Sequence, residues 1–315
     1  MKSRIYYNDL MEEWFRINKS GFAKSTYVKY MRIYKKYVKL FFENINVRKI
    51  DMPMLDEYRT YLENKLISSK IEVCGQTAKC AVMLVNRCLE FAAKKGFIST
   101  AFRLEWKIRS QRSDIQIFSD EEQRKIENHC MQNRDVYSFG IILCLYTGLR
   151  IGELCALRWT DIDIAERVLN VQRSVQRLKF ENESATVLTV SHPKSVSSAR
   201  MIPLPECIIS IIDKFRCKDK EDTYVFSGKK DTPAEPRTFQ YRYKRYLSDA
   251  GVNYRKFHTL RHSFATRCIG CGMDLKTLSE ILGHSSVKVT LEFYCHTTME
   301  QKRKQMNRLS FLSQN

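Results

Sequence analysis

Apolar and aromatic positions recur at spacings of three and four in DLMEEWF, STYVKYMRIYKKYVKLFF, MLDEYRTYLENKL and TAKCAVMLVNRCLEFAAKKG. This is the period of an amphipathic α-helix, so the first third of the chain predicts four helices and hence a small bundle. Ser25 is placed to cap the second helix and Gly96 to stop the fourth. The pattern then breaks. RSQRSDIQIF, residues 109–118, is polar, basic and aperiodic, as expected of a linker. Beyond it, Ser119 and Glu122 have capping-box spacing before DEEQRKIENHC, and Asp135 is placed to cap VYSFGIILCLY. Gly148 breaks that helix, and RIGELCAL resumes it with Arg150 and Glu153 three apart on one face.

The period next changes from 3.6 to two. VLNVQRSV, ATVLTVS and ARMIPL alternate and are rich in β-branched residues, which predicts a small antiparallel sheet with His192, Pro193 and Lys194 in a turn between the last two strands. From Glu206 the helical period returns. DLKTLSEILG reads as a short helix with Leu275, Leu278, Ile281 and Leu282 inward and Gly283 at its end, after which Ser286 can cap the turn leading to Tyr294. The expected fold is mainly α with a small antiparallel β-sheet. It divides into a helical domain over residues 1–112 and a mixed domain over residues 113–315.

Charge narrows the class of partner. The chain of 315 residues carries a formal net charge of +19, a field that draws in a polyanion, with nucleic acid first among them. Residues 1–112 hold 23 Lys and Arg against 11 Asp and Glu, so the smaller part is the more basic. The second predicted helix presents Lys24, Lys29, Arg32, Lys35, Lys36 and Lys39 with no intervening acid. Arg237, Arg242, Lys244 and Arg245 alternate with aromatics in RTFQYRYKRYL. Both sets are candidate DNA-backbone contacts, against the plainer reading of solvated helix faces.

A membrane-surface protein would set its charge beside an apolar anchor, and none is evident. The longest apolar run, FGIILCLY, is too short to span a bilayer, and the N-terminus lacks a signal-peptide core, so a cytoplasmic, nucleoid-associated protein is expected. Eleven cysteines at irregular spacings suggest reduced thiols rather than a disulfide framework. Cys268 and Cys271, with Cys295 and His296 further on, are a weak candidate for zinc because a helix ends there. No metal or cofactor is expected.

Five short segments carry the chemistry: TGLRIGEL with Arg150 and Glu153, SHPKS with Lys194, FHTLRH with His258 and Arg261, LGH with His284, and EFYCH with Tyr294. Two arginines can neutralise the non-bridging oxygens of a phosphodiester, a tyrosine can attack its phosphorus, and a lysine can protonate the leaving oxygen. Together they can break a DNA strand covalently without a metal.

These segments, with TGLRIGELCALRWTDID, SSARMIPL, HTLRHSFAT, LGHSS and the late tyrosine in this order, resemble the tyrosine recombinase, or phage integrase, family over nearly the whole chain. The resemblance implies a helical core-binding domain and a mixed α/β catalytic domain closing as a C-shaped clamp on double-stranded DNA. It implies Arg150 and Arg261 as phosphate clamp, Tyr294 as nucleophile, Lys194 as general acid, and His258 and His284 as phosphate contacts or proton carriers. Glu153 would brace the clamp arginine. His262, next to Arg261, is read as structural. The tail beyond Tyr294 keeps Met306, Leu309, Phe311 and Leu312 after a basic run, which implies docking on a neighbouring copy: a dimer on one site and a tetramer on two. Accessory DNA-bending or directionality factors are possible partners.

The expected activity is site-specific recombination through a 3′-phosphotyrosyl intermediate, for integration or excision by a mobile-element integrase or a short Xer-like enzyme. Inversion or chromosome-dimer resolution by the same chemistry, relaxation of DNA without recombination, and a non-catalytic DNA-binding regulator remain as alternatives.

Overall fold

The computed structural model describes residues 4–68, 75–106, 116–133, 135–180, 183–192, 199–216, 222–284 and 286–294, with Arg303 and Met306. It divides into two compact units, one of residues 1–113 with 178–186 and the other of residues 114–177 with 187–315.

In the first unit, α1 (Tyr7–Asn18), α2 (Lys24–Ile33), α3 (Met52–Ser68) and α4 (Gly75–Lys94) enclose an aromatic core. Tyr7 stacks on Phe42 with ring centroids 4.2 Å apart, and Phe42 meets Tyr58 at 5.1 Å. The four predicted helices are present, with two local differences. The first turn of α2 is built on Ala23, whose carbonyl accepts the amides of Thr26 and Tyr27, so Ser25 lies inside the helix rather than at its cap. Tyr34–Val38 widens into a π turn closed by the Lys39 amide on the Tyr34 carbonyl at 2.9 Å. The wider turn keeps Tyr34, Tyr37, Val38 and Phe42 all in the core. Lys24, Lys29, Arg32, Lys35 and Lys36 are exposed.

The second unit is organised around α6 (Val136–Thr147), which is apolar on every side and buried. Packed against it are α5 (Asp120–Asn133), α8 (Glu206–Phe215), α9 (Pro236–Asp249) and α10 (His258–Gly270). The expected caps are made. Ser119 and Glu122 exchange bonds of 2.9 and 3.2 Å, and Asp135 accepts the Tyr137 and Ser138 amides.

The strands differ from a single sheet. β1 (Ile162–Asp163), β2 (Val168–Val171) and β5 (Arg200–Pro203) form one antiparallel sheet in the order β1-β2-β5, with Leu169 opposite Ile202. β3 (Ser174–Leu178) and β4 (Val187–Ser191) form a second. VLNVQRSV is therefore two strands in different sheets, broken where the Arg173 side chain turns to pair with the buried Asp161. Short helices α7 (Ile151–Cys155), α11 (Leu275–Leu282) and α12 (Val287–Tyr294) complete the unit. Among the described residues, no helix is long and apolar enough to cross a membrane.

Candidate active site

Two glycines prepare the site. Gly148 ends α6 at φ +65°, a left-handed conformation, and a Cβ there would meet Phe264 at 2.6 Å and Leu282 at 2.9 Å. Gly152 lets α7 approach β3, since a Cβ there would lie 2.6 Å from the Val175 carbonyl oxygen. Between them Arg150 occupies the cap position of α7. Its amide donates to Glu153 Oε2 at 2.9 Å and its Nη1 to Oε1 at 2.7 Å. The two residues thus meet as cap and brace rather than side by side on a helical face.

Glu153 has a second cationic partner that the sequence reading missed. Arg200, in β5, donates Nη1 to Oε1 at 3.1 Å and Nη2 to Oε2 at 2.9 Å. Burial alone would raise the Glu153 carboxyl. The hydrogen bonds and charge of Arg200, then the charge and amide of Arg150, outweigh that and hold it at about 2. The strand period held the signal: Ile202 faces the core, and Arg200, two residues away, shares its side of β5.

The end of α11 gathers the arginines. Its last carbonyls have no partner within the helix and carry the negative end of the helix dipole. Arg200 Nε donates to Ile281 O at 2.5 Å, Arg261 Nη2 to Leu282 O at 2.7 Å, and Arg150 Nη2 to Gly283 O at 3.3 Å. Arg261 also donates Nη1 to Gly148 O at 2.9 Å. Three consecutive carbonyls therefore hold three guanidinium groups, two of them also paired with the Glu153 carboxylate, which leaves surplus positive charge. Arg200 and Arg261 are buried, whereas the Arg150 side chain is 36% exposed and keeps a face to solvent. Such a pocket fits an oxyanion.

Two histidines join it. His284 follows Gly283, and its Nδ1 lies 2.9 Å from the Thr290 hydroxyl. Burial, followed by the charges of Arg261, Arg150 and Arg200, lowers its pKa to about 4. His258 opens α10 and is likewise lowered to about 4, by burial first and then by His262, Arg261 and Arg150. Both rings are neutral at pH 7. The His262 ring packs edge-on against His258, with centroids 4.6 Å apart.

The structure thus brings together Arg150, Glu153, His258, Arg261 and His284, and adds Arg200 and Thr290. Tyr294 closes α12, and its side chain, like Lys194, lies outside the described residues. On α9, Arg237, Arg242, Lys244 and Arg245 are exposed. Arg242 lies over the Tyr137 ring and Lys244 over Tyr254. Among the described residues, no group of three or more His, Cys, Asp or Glu could hold a metal ion. Cys268 is half-buried and Cys271 exposed.

Comparison with known proteins places the chain in a family. Residues 110–301 match the phage integrase family and residues 6–108 the phage integrase SAM-like domain. A tyrosine recombinase XerC-like protein of Caldanaerobacter subterraneus subsp. tengcongensis is 30% identical, over 96% of this chain and 82% of its own. The ICEBs1 integrase of Bacillus subtilis is 24% identical, over 89% of this chain and 76% of its own. The Tn1549 transposon integrase, solved in complex with a circular intermediate DNA, superposes with a TM-score of 0.73 at 18% identity, covering 97% of this chain and all of that one.

The chain belongs to the phage integrase family. It is a tyrosine-type site-specific recombinase, an enzyme that breaks and rejoins DNA.

Proposed function

We propose that this recombinase integrates and excises a mobile element, cutting double-stranded DNA through a 3′-phosphotyrosyl bond to Tyr294. One observation supports the chemistry above all: three guanidinium groups fixed on the consecutive carbonyls of Ile281, Leu282 and Gly283 at the end of α11, two of them braced by Glu153, with Arg150 partly open to solvent. In this reading Arg150 and Arg261 bind the non-bridging oxygens of the scissile phosphate and stabilise the charge that develops on them. Glu153 and Arg200 hold the clamp rigid and do not touch the phosphate. The Tyr294 hydroxyl gives up its proton and attacks phosphorus. The P–O5′ bond breaks, and Lys194 protonates the departing 5′ oxygen. Religation reverses these steps, so the energy of the broken bond is conserved in the phosphotyrosine.

His258 and His284, neutral at pH 7, act as hydrogen-bond partners of the phosphate or carry the tyrosine proton. Lys24, Lys29, Arg32, Lys35 and Lys36 in the first unit, with Arg237, Arg242, Lys244 and Arg245 in the second, contact the DNA backbone. Their exposure supports that role. The apolar residues of the tail dock on a neighbouring copy, giving a dimer on one site and a tetramer on two.

The mobile-element role rests on likeness to the ICEBs1 and Tn1549 integrases. Chromosome-dimer resolution by the same chemistry is the alternative reading, and likeness to the ICEBs1 and Tn1549 integrases favours integration over it. A plasmid assay separates them. Recombination between the joined ends of the element and its target, without activity on paired chromosomal repeats, supports integration. The reverse pattern replaces it with resolution.

A further inference from the structure

Thr290 is the point at which the helix bearing the nucleophile reaches the phosphate pocket. It is fully buried on α12, one helical turn before Tyr294, and among the described residues its hydroxyl has one partner, His284 Nδ1 at 2.9 Å. The backbone on the other side of that bond is fixed as well. Gly283 adopts the left-handed cap of α11, and the His284 amide donates to Ser279 O at 3.1 Å. His284 is thus held by α11 through its main chain and by α12 through its ring.

A neutral imidazole carries one ring proton, on Nδ1 or on Nε2. With the proton on Nδ1, the ring donates to Thr290 and turns a bare Nε2 lone pair outward, which a phosphate oxygen repels. With the proton on Nε2, the Thr290 hydroxyl donates to Nδ1, and Nε2–H becomes a donor to the phosphate. The surrounding guanidinium groups are donors only and cannot accept from Nε2–H, whereas a phosphate oxygen can.

We infer that Thr290 is a positioning residue that donates to His284 Nδ1, places the ring proton on Nε2, and makes His284 a phosphate donor only while α12 is docked. The nucleophile and the donor then depend on the same seating of α12. This rests on the reading of His284 as a phosphate contact.

The test uses the full chain with ¹⁵N-labelled histidine and a nicked duplex carrying the recombination site. His284→Gln assigns the His284 signal and tests the underlying reading in the same series. In the native protein the spectrum should show protonated Nε2 and a hydrogen-bonded, unprotonated Nδ1. Thr290→Val removes the hydroxyl at nearly constant volume. It should mix the tautomers and slow single-turnover cleavage on the order of 10-fold to 100-fold, as when the orienting partner of a functional histidine is removed. DNA affinity should be unchanged. Thr290→Ser, which restores the hydroxyl, should recover both the spectrum and the rate.

A native His284 protonated on Nδ1 overturns the inference, and that measurement does not depend on the Val variant folding. So does a Thr290→Val protein with native tautomer and rate. If His284→Gln itself cleaves normally, the phosphate role of His284 fails. If His284→Gln is slow while Thr290→Val is native, only the role of Thr290 fails.

Discussion

The exposed basic face of α2 and the arginine pocket of the second unit are both cationic, yet they manage charge in opposite ways. On α2 and the turn after it the lysines and Arg32 are exposed to water and screened by salt. In the pocket, Arg200 and Arg261 are buried, and the helix end of α11 and the Glu153 carboxylate meet their donors. Water-exposed charge gives affinity that is graded and shared among many residues. Buried charge gives geometry that is fixed and fails when one member is removed. The first kind can gather DNA, and only the second can hold one phosphorus in line with one nucleophile.

The largest effect expected from breaking this contrast is on the chemical step. Arg150→Ala removes the solvent-facing clamp arginine and should reduce cleavage by about 10²–10³-fold, the cost of deleting one oxyanion donor. DNA affinity should barely change, since Arg150 is one cation among the many that face the phosphate backbone. Quench-flow cleavage beside gel-shift titration checks both halves.

Next comes stability. Arg200→Met leaves the buried Glu153 with one cationic partner and should cost about 3–5 kcal/mol, as for a broken buried ion pair, read by urea unfolding. The same carboxylate sets a pH dependence. Its folded value, about 2, is depressed below the ordinary 4.5, so its contribution is complete above pH 4.5 and is lost as pH falls toward about 2. Arg200→Met should flatten that acid limb.

A smaller loss is expected from Gly152→Ala, whose methyl would press on the Val175 carbonyl at 2.6 Å. Relieving the clash should cost about 1–3 kcal/mol and lower the thermal midpoint. The smallest effect per residue belongs to the exposed face. Each of Lys29→Ala, Arg32→Ala and Lys36→Ala should weaken DNA binding modestly and reduce the slope of log K against log salt by about 0.9 for each phosphate no longer neutralised, with the cleavage rate of the bound complex unchanged.

How much of this could be read beforehand depended on how local the cause was. Ser119 with Glu122, Asp135, Gly148 and Gly283 act within a turn of themselves, and their caps and breaks lie where the sequence places them. Arg150, His258, Arg261 and His284 were legible as a set only because their motifs occur together. Their gathering at the end of α11 was not legible, because it depends on tertiary packing. Arg200 was hidden for the same reason: its partner, Glu153, lies 47 residues away in the chain. The break in VLNVQRSV was hidden too, since it falls beside Arg173, whose partner Asp161 lies in an earlier segment, and no turn residue marks it. The π turn at Tyr34–Val38 leaves the helical period nearly intact and gives no signal a residue pattern can show.

Covalent trapping tests the account most directly. On a nicked duplex carrying the recombination site, the short fragment beyond the cut diffuses away and leaves the DNA joined to protein. The native enzyme should give a denaturation-resistant complex whose digested peptide carries the nucleotide on Tyr294. Tyr294→Phe should bind the same duplex and give none. A complex of native yield in Tyr294→Phe, or a nucleotide mapped to another residue, would contradict it.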